Sequence, residues 1–156
     1  MKRASNTPAW LIASEVEIVY KTKVKAAERP QVNSSLEAYK VLLQAWEKGK
    51  IDLVEQFNIL LLCRANKVLG IHRVSSGGIT ATIADPRLIF IAALKARSVS
   101  IVLCHNHPSG SLEPSRADQE LTQKLKEGGK LLDIKVMDHL IITSENYYSF
   151  ADEGIL

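Results

Sequence analysis

Ser98-Val99-Ser100-Ile101-Val102-Leu103-Cys104-His105-Asn106-His107-Pro108-Ser109-Gly110 is the stretch on which the reading of the fold turns. Its apolar part, over 99–104, is short and rich in β-branched residues, which predicts a buried central strand. The run then breaks into two histidines, a proline and a glycine. Side chains at i and i+2 of an extended segment point to the same side. His105 and His107 therefore aim two imidazoles at one point. Asn106, between them, points the other way and reads as structural. Such a histidine pair is the beginning of a metal site.

The next residues supply a third arm. Pro114-Ser115 opens a helix expected to run through Lys126, with Ala117, Leu121 and Leu125 on one face. Gly128-Gly129 is expected to stop it. Asp118 lies in its first turn, and Pro108, Gly110 and Pro114 let the chain fold back so that strand end and helix start converge. Two neutral imidazoles and one carboxylate are the three protein ligands of a catalytic zinc site, with water in the fourth position. Such a set leaves that water exposed to the Lewis acidity of the ion, which brings its pKa to about 7. A nearby Glu can then take its proton. The same donors suit non-haem Fe(II), so spacing alone leaves zinc and an Fe(II) oxygenase both open. Ser115-x-x-Asp118 also has the form of a capping box with Asp in place of Glu. Ser115 is thus an N-cap, a donor near the metal water, or both.

Working outward, 1–12 reads as a loose tail and 15–24 as an edge strand with one wet face, because Val16, Ile18 and Tyr20 alternate with more polar neighbours. Residues 26–32, with Arg29-Pro30, read as a loop. Asn33, Ser34 and Ser35 offer an N-cap to a helix carrying Leu36, Tyr39, Leu42, Leu43 and Trp46 at helical spacing, with Gly49 expected to end it. Its aromatic residues are expected in the core. Two apolar strands, 55–63 and 67–75, joined by Arg64-Ala65-Asn66, predict a β-hairpin, and Ser75-Ser76-Gly77-Gly78 a flexible loop. Asp85-Pro86 starts a further helix with Asp as N-cap and Pro at N1. Beyond the histidine stretch, 134–137 and 140–143 read as two short strands around Asp138-His139, and 147–150 as a last one. The expected fold class is α/β, a mixed, largely antiparallel sheet flanked by helices.

The chain has 156 residues, with 46% hydrophobic and 24% charged, enough for one domain with a real core and unlike a disordered chain. Its net charge of +3 comes from lysines scattered among acids, which reads as a solvated surface and not as a nucleic-acid stripe. Cys63 and Cys104 each end an apolar run, as buried free thiols do, and imply a reducing, cytoplasmic setting. No CxxC spacing offers a cysteine zinc site. Residues 1–10 lack the apolar core of a signal peptide, and no apolar run approaches the roughly 20 residues of a spanning helix.

His105-x-His107-Pro108, followed by Ser115 and Asp118, matches the JAMM motif of the JAB/MPN metalloprotease superfamily. The fuller string His105-Asn106-His107-Pro108-Ser109-Gly110 with Pro114-Ser115 and Asp118 resembles the bacterial RadC-like proteins. The likeness runs from about Val32 to Leu156 and includes Asp85-Pro86-Arg87, Asp138-His139-Leu140-Ile141-Ile142 and Tyr148-Ser149-Phe150. It implies a JAB/MPN, cytidine-deaminase-like domain over 31–156 after a short extension over 1–30. It places the ligands on His105, His107 and Asp118 and makes the metal zinc. It places the general acid/base on a Glu at the start of an upstream strand, here Glu55; the residues alone do not choose Glu55 over Glu47 or Glu37. Ser115 corresponds to the motif serine that bonds near the metal water. The function implied is a zinc-dependent hydrolase of the metallopeptidase or isopeptidase type, acting on an undetermined protein or peptide. The alternative is a nucleic-acid-associated protein of DNA repair or mobile elements without peptidase activity. Two departures stand out. Many RadC-like proteins carry a helix-hairpin-helix region before this domain, where only about 30 residues precede it here. The loop 75–78 also lacks an acidic residue after its second serine. His72 reads as a hairpin surface residue, and His139 as a core histidine with an outer-shell role open to it.

Overall fold

The central strand β3 (Ser100–Asn106) is buried along its whole length. In the computed structural model, which describes residues 23–79 and 82–156, it lies third in a five-stranded sheet of order β2-β1-β3-β4-β5. Its neighbour β1 (Gln56–Leu62) pairs with it antiparallel and is also buried throughout. Burial on both faces explains why both strands are continuous apolar runs. The hairpin partner β2 (Val68–Ser76) pairs antiparallel with β1. On the other side, β4 (Lys135–Ile142) runs parallel to β3, and β5 (Tyr147–Ser149) returns antiparallel. The sheet is mixed and largely antiparallel.

Helices cover both faces. On one, α1 (Ser35–Ala45) lays Ala38, Tyr39 and Leu42 on Leu60, Leu62, Val102, Cys104, Leu140 and Ile142. On the other, α2 (Pro86–Lys95) and α3 (Arg116–Leu131) bring Ile89, Ala93 and Leu125 onto Phe57, Ile59, Leu61, Ile101 and Leu103. The Asp85 carboxylate accepts from the Arg87 N–H and caps α2, with Pro86 in its first turn, as that dipeptide predicts. Ser34 caps α1.

Four expectations need correction. First, α3 does not stop at Gly128-Gly129 but continues to Leu131. Those glycines serve close approach: a Cβ on Gly129 would sit 2.2 Å from the Ile134 carbonyl oxygen, and one on Gly128 3.0 Å from the Phe90 ring. Second, Asp138-His139 does not separate two strands. It lies inside β4, at a bulge where Ile101 and Val102 face Val136 and Asp138 and leave Met137 unpaired. The Asp138 carboxylate accepts from the Ser149 hydroxyl and from the Ala151 and His139 N–H groups, so the pair is a satisfied polar insert. Third, Ser75 and Ser76 belong to β2, and Gly77 and Gly78 continue its pairing through hydrogen bonds with both main-chain groups of Glu55. Fourth, α1 ends at Ala45, and Gly49 lies in the turn beyond; Trp46 turns extended there and its ring is buried in the α1 core. Within 26–32, residues Ala26–Glu28 form a single 3-10 turn. The tail over 1–12 and nearly all of the strand expected over 15–24 lie outside the described residues; Lys23 and Val24 form a bend.

Candidate metal centre

Two elements meet at the C-terminal end of β3. The strand carries His105 to its last turn of pleat, and the chain then leaves through Pro108 and a turn closed by the Gly110 N–H on the His107 carbonyl. Gly110 sits at φ +81°, a conformation that needs no Cβ. That turn sends the chain back to the N-terminus of α3, where Asp118 occupies the first turn. His105, His107 and Asp118 converge there, each offering one ligand atom, with all three atoms within 4.8 Å of one another. His105 Nε2 lies 3.0 Å from His107 Nε2 and 3.3 Å from Asp118 Oδ1.

Each of the three candidate ligands is oriented by a second contact. His107 Nδ1 lies 2.8 Å from the Ser111 carbonyl oxygen, so that nitrogen is the donor and Nε2 carries the lone pair. His105 Nδ1 lies 2.9 Å from His139 Nε2. Asp118 divides its two oxygens. Oδ2 accepts from both the Ser115 N–H at 2.8 Å and the Ser115 hydroxyl at 2.6 Å, while Oδ1 faces His105. The Ser115 hydroxyl also accepts from the Asp118 N–H, which completes a reciprocal capping box. Cap and ligand geometry are therefore one device: the box that starts α3 also turns a carboxylate oxygen to the histidines.

Burial sets the charge state of the pair behind them. His105 is 1% exposed, and its pKa falls from 6.5 to about 4, driven down by burial and by His107 and held up by Asp118. His139 is fully buried, and burial, then the two other histidines, pushes its pKa well below the usual range. Both rings are neutral at physiological pH. They pack against Phe57, and the His139 ring stacks on Phe150 at 4.7 Å between centroids. His72 is exposed on β2.

Glu55 immediately precedes β1. It lines a groove of about 450 Å³ with Asp52, Ile79, His107, Pro108, Ser109 and Ser111. Partial burial raises its carboxyl above the ordinary 4.5; His107 and a main-chain hydrogen bond from Thr82 oppose the rise, and Asp118 adds to it. Its main chain is pinned by Gly77 and Gly78 on one side. On the other, Asn106 accepts from the Gln56 N–H at 2.7 Å and donates to the Ile51 and Val54 carbonyls. Sequence reasoning passed over Thr122, whose hydroxyl bonds both His139 and the Asp118 carbonyl. Its signal was spacing: Thr122 lies four residues after Asp118, on the same face of α3.

The chain is similar over residues 32–155 to the family model described as the RadC-like JAB domain. A UPF0758 protein of Flavobacterium johnsoniae is 52% identical over 101 residues, 65% of this chain and 44% of that protein. A UPF0758 protein of Methanosarcina mazei is 37% identical over 146 residues, 93% of this chain and 62% of that one. One from a Janthinobacterium species is 40% identical over 138 residues, 86% and 61% of the respective chains. The chain thus spans about half the length of the curated relatives it matches. The matched stretch contains β1 to β5, all three helices and every residue of the cluster, and on that ground this chain belongs to the RadC-like JAB domain family.

Proposed function

We propose that the chain is a zinc-dependent hydrolase of amide or isopeptide bonds in a protein or peptide substrate. The observation that carries this reading is the convergence of His105, His107 and Asp118 beside a groove lined by Glu55. The donor set fits zinc, since two imidazole nitrogens and one carboxylate oxygen are the ligands of catalytic zinc sites, which keep one position open. When bound, zinc supplies a Lewis acid that makes a water acidic near neutral pH.

The remaining work falls to the chain's own residues. Glu55 takes a proton from the attacking water and delivers it to the leaving nitrogen, a task for which a raised carboxyl is better matched than an ordinary one. Ser115 donates its one hydroxyl hydrogen to Asp118 Oδ2 and so keeps the other carboxylate oxygen turned to the histidines; to donate to water or oxyanion it has to give up that bond. The groove beside Glu55 and His107 is the place this reading gives to the substrate segment. Among the described residues no helix is long and apolar enough to cross a membrane. The free thiols Cys63 and Cys104 suit a reducing compartment, and we assign the reaction to the cytoplasm.

Metal analysis of protein purified without chelator tests the reading. About one zinc per chain is expected, lost in His107→Ala and kept in Glu55→Gln, with Glu55→Gln inactive on isopeptide-linked substrates that the wild type cleaves. Wild-type protein free of zinc, or zinc held equally by His107→Ala, overturns it.

A further inference from the structure

We propose that His139 and Thr122 are positioning residues that fix the tautomer of His105 and tie it to Asp118, so that two ligands from different elements are set by one hydrogen-bonded chain. The inference rests on the metal reading above. The chain runs from His105 Nδ1 to His139 Nε2 at 2.9 Å, from His139 Nδ1 to Thr122 Oγ1 at 2.6 Å, and from Thr122 Oγ1 to the Asp118 carbonyl oxygen at 2.6 Å. It begins on one ligand and ends on the main chain of another.

Hydrogen counting gives the chain a direction. A carbonyl oxygen only accepts, so the single hydroxyl hydrogen of Thr122 goes to Asp118. The contact between Thr122 Oγ1 and His139 Nδ1 then requires the hydrogen to be on Nδ1 of His139. A neutral His139 with its hydrogen there has a bare Nε2, which accepts from His105 Nδ1. His105 is left with a lone pair on Nε2, the atom that faces His107 and Asp118. Reversing any link puts a hydrogen on His105 Nε2 and blocks that atom as a ligand. The order of donors is thus dictated from the far end, by a main-chain carbonyl that cannot titrate or rotate.

Two features of the fold serve this chain. The bulge at Met137 shifts the alternation of β4: Val136 faces the α2–α3 side, and regular alternation from there through Met137, with no bulge, would turn His139 to α1. With it, His139 meets Phe57 and His105 on the metal side. Thr122 is 3% exposed and His139 fully buried, so no bulk water competes for their hydrogen bonds. Outer-shell partners of this kind fix the ring orientation of metal-bound histidines.

The test uses the full chain and zinc alone. Chelator competition should show zinc bound about 10–100-fold more weakly by Thr122→Val than by wild type, with Thr122→Ser restoring most of the affinity. Nitrogen-15 NMR of the zinc-loaded wild type should show His139 with its hydrogen on Nδ1, a readout that needs no variant and survives if Thr122→Val fails to fold. Equal affinity in wild type and Thr122→Val, or His139 carrying its hydrogen on Nε2, overturns the proposal while leaving the metal site standing. Wild-type protein that takes up no zinc overturns both.

Discussion

Asn106 holds the main chain on both sides of Glu55. Its amide oxygen accepts from the Gln56 N–H at 2.7 Å, and its amide nitrogen donates to the Val54 carbonyl at 2.9 Å and the Ile51 carbonyl at 2.6 Å. His105 and His107 flank it in sequence and turn to the opposite side of the strand. One residue on β3 therefore registers the carboxyl proposed to move the proton against the ligands beside it. A clamp of this kind is what a site needs when its parts come from different strands, because small misplacements of a catalytic group cost much of its effect.

Replacing Asn106 with Ala should both weaken the fold and slow turnover. One buried and two partly buried main-chain groups lose their partner, and each one left unpaired away from water costs about 1–3 kcal/mol. Some will find water, so a net loss of about 2–4 kcal/mol is expected in urea unfolding. Zinc content should change little, because the three proposed ligands hang on other bonds. Stability within about 0.5 kcal/mol of wild type would show that the clamp carries no weight.

The two glycines of α3 should respond oppositely to the same change. Ala is favoured over Gly inside a helix by about 1 kcal/mol. At Gly129 the added methyl meets the Ile134 carbonyl oxygen at 2.2 Å, and that backbone atom cannot step aside without moving the start of β4. Gly129→Ala should therefore be destabilising by roughly 1–3 kcal/mol despite the propensity gain. At Gly128 the neighbour is the edge of the Phe90 ring at 3.0 Å, a side chain that can shift by a few tenths of an ångström. Gly128→Ala should stay within about 1 kcal/mol of wild type. Thermal unfolding of both variants settles the contrast, and equal losses would refute it.

These glycines also show where the sequence was legible and where it was not. Local chemistry was readable: Asp85-Pro86 caps a helix, Arg64-Ala65-Asn66 joins a hairpin, and the spacing from His105 to Asp118 brings three donors together. Each depends on residues within one or two elements. Gly128-Gly129, Asp138-His139 and Ser75–Gly78 carry the signature of helix ends, turns and loops, but their reasons are tertiary. They are, respectively, the approach of β4 to α3, a bulge satisfied by Ser149 and Ala151, and a ladder shared with Glu55. Glu55 itself came only through a family likeness, since a carboxylate before an apolar strand looks the same whether solvated or functional. Its place in the groove with His107 is a product of the β1–β3 register and of Asn106.

Zinc should stabilise the fold by mass action. A ligand that binds only the folded state at a hundred times its Kd adds about 2.7 kcal/mol. Chelation should reverse the shift. In His107→Ala the metal-dependent part should vanish, while the metal-free fold stays close to that of wild type, because His107 lies beyond β3 and is only half-buried. Thermal unfolding with and without zinc checks both halves. A zinc-induced shift of equal size in wild type and His107→Ala would exclude this residue as a ligand.

Glu55 should make the metal-free protein lose stability as the pH rises. Its carboxyl ionises above the ordinary 4.5, chiefly because burial disfavours the charged form. The folded chain thus holds this proton more tightly than the unfolded one. Stability from that difference is fully present below pH 4.5 and drains away as the pH climbs through the raised value in the folded state. Gln cannot ionise, so Glu55→Gln removes the effect. With metal removed from both proteins, the variant should match wild type at about pH 4 and exceed it at about pH 7.5, the gap opening between those values. Urea unfolding at a series of pH values measures it. The expected excess also follows from the proposed role of Glu55, since groups kept in costly environments for catalysis commonly stabilise the fold when replaced. A gap of equal size at both ends, or a variant less stable than wild type near neutrality, would show that Glu55 is no more buried in its charged form than an ordinary surface carboxylate.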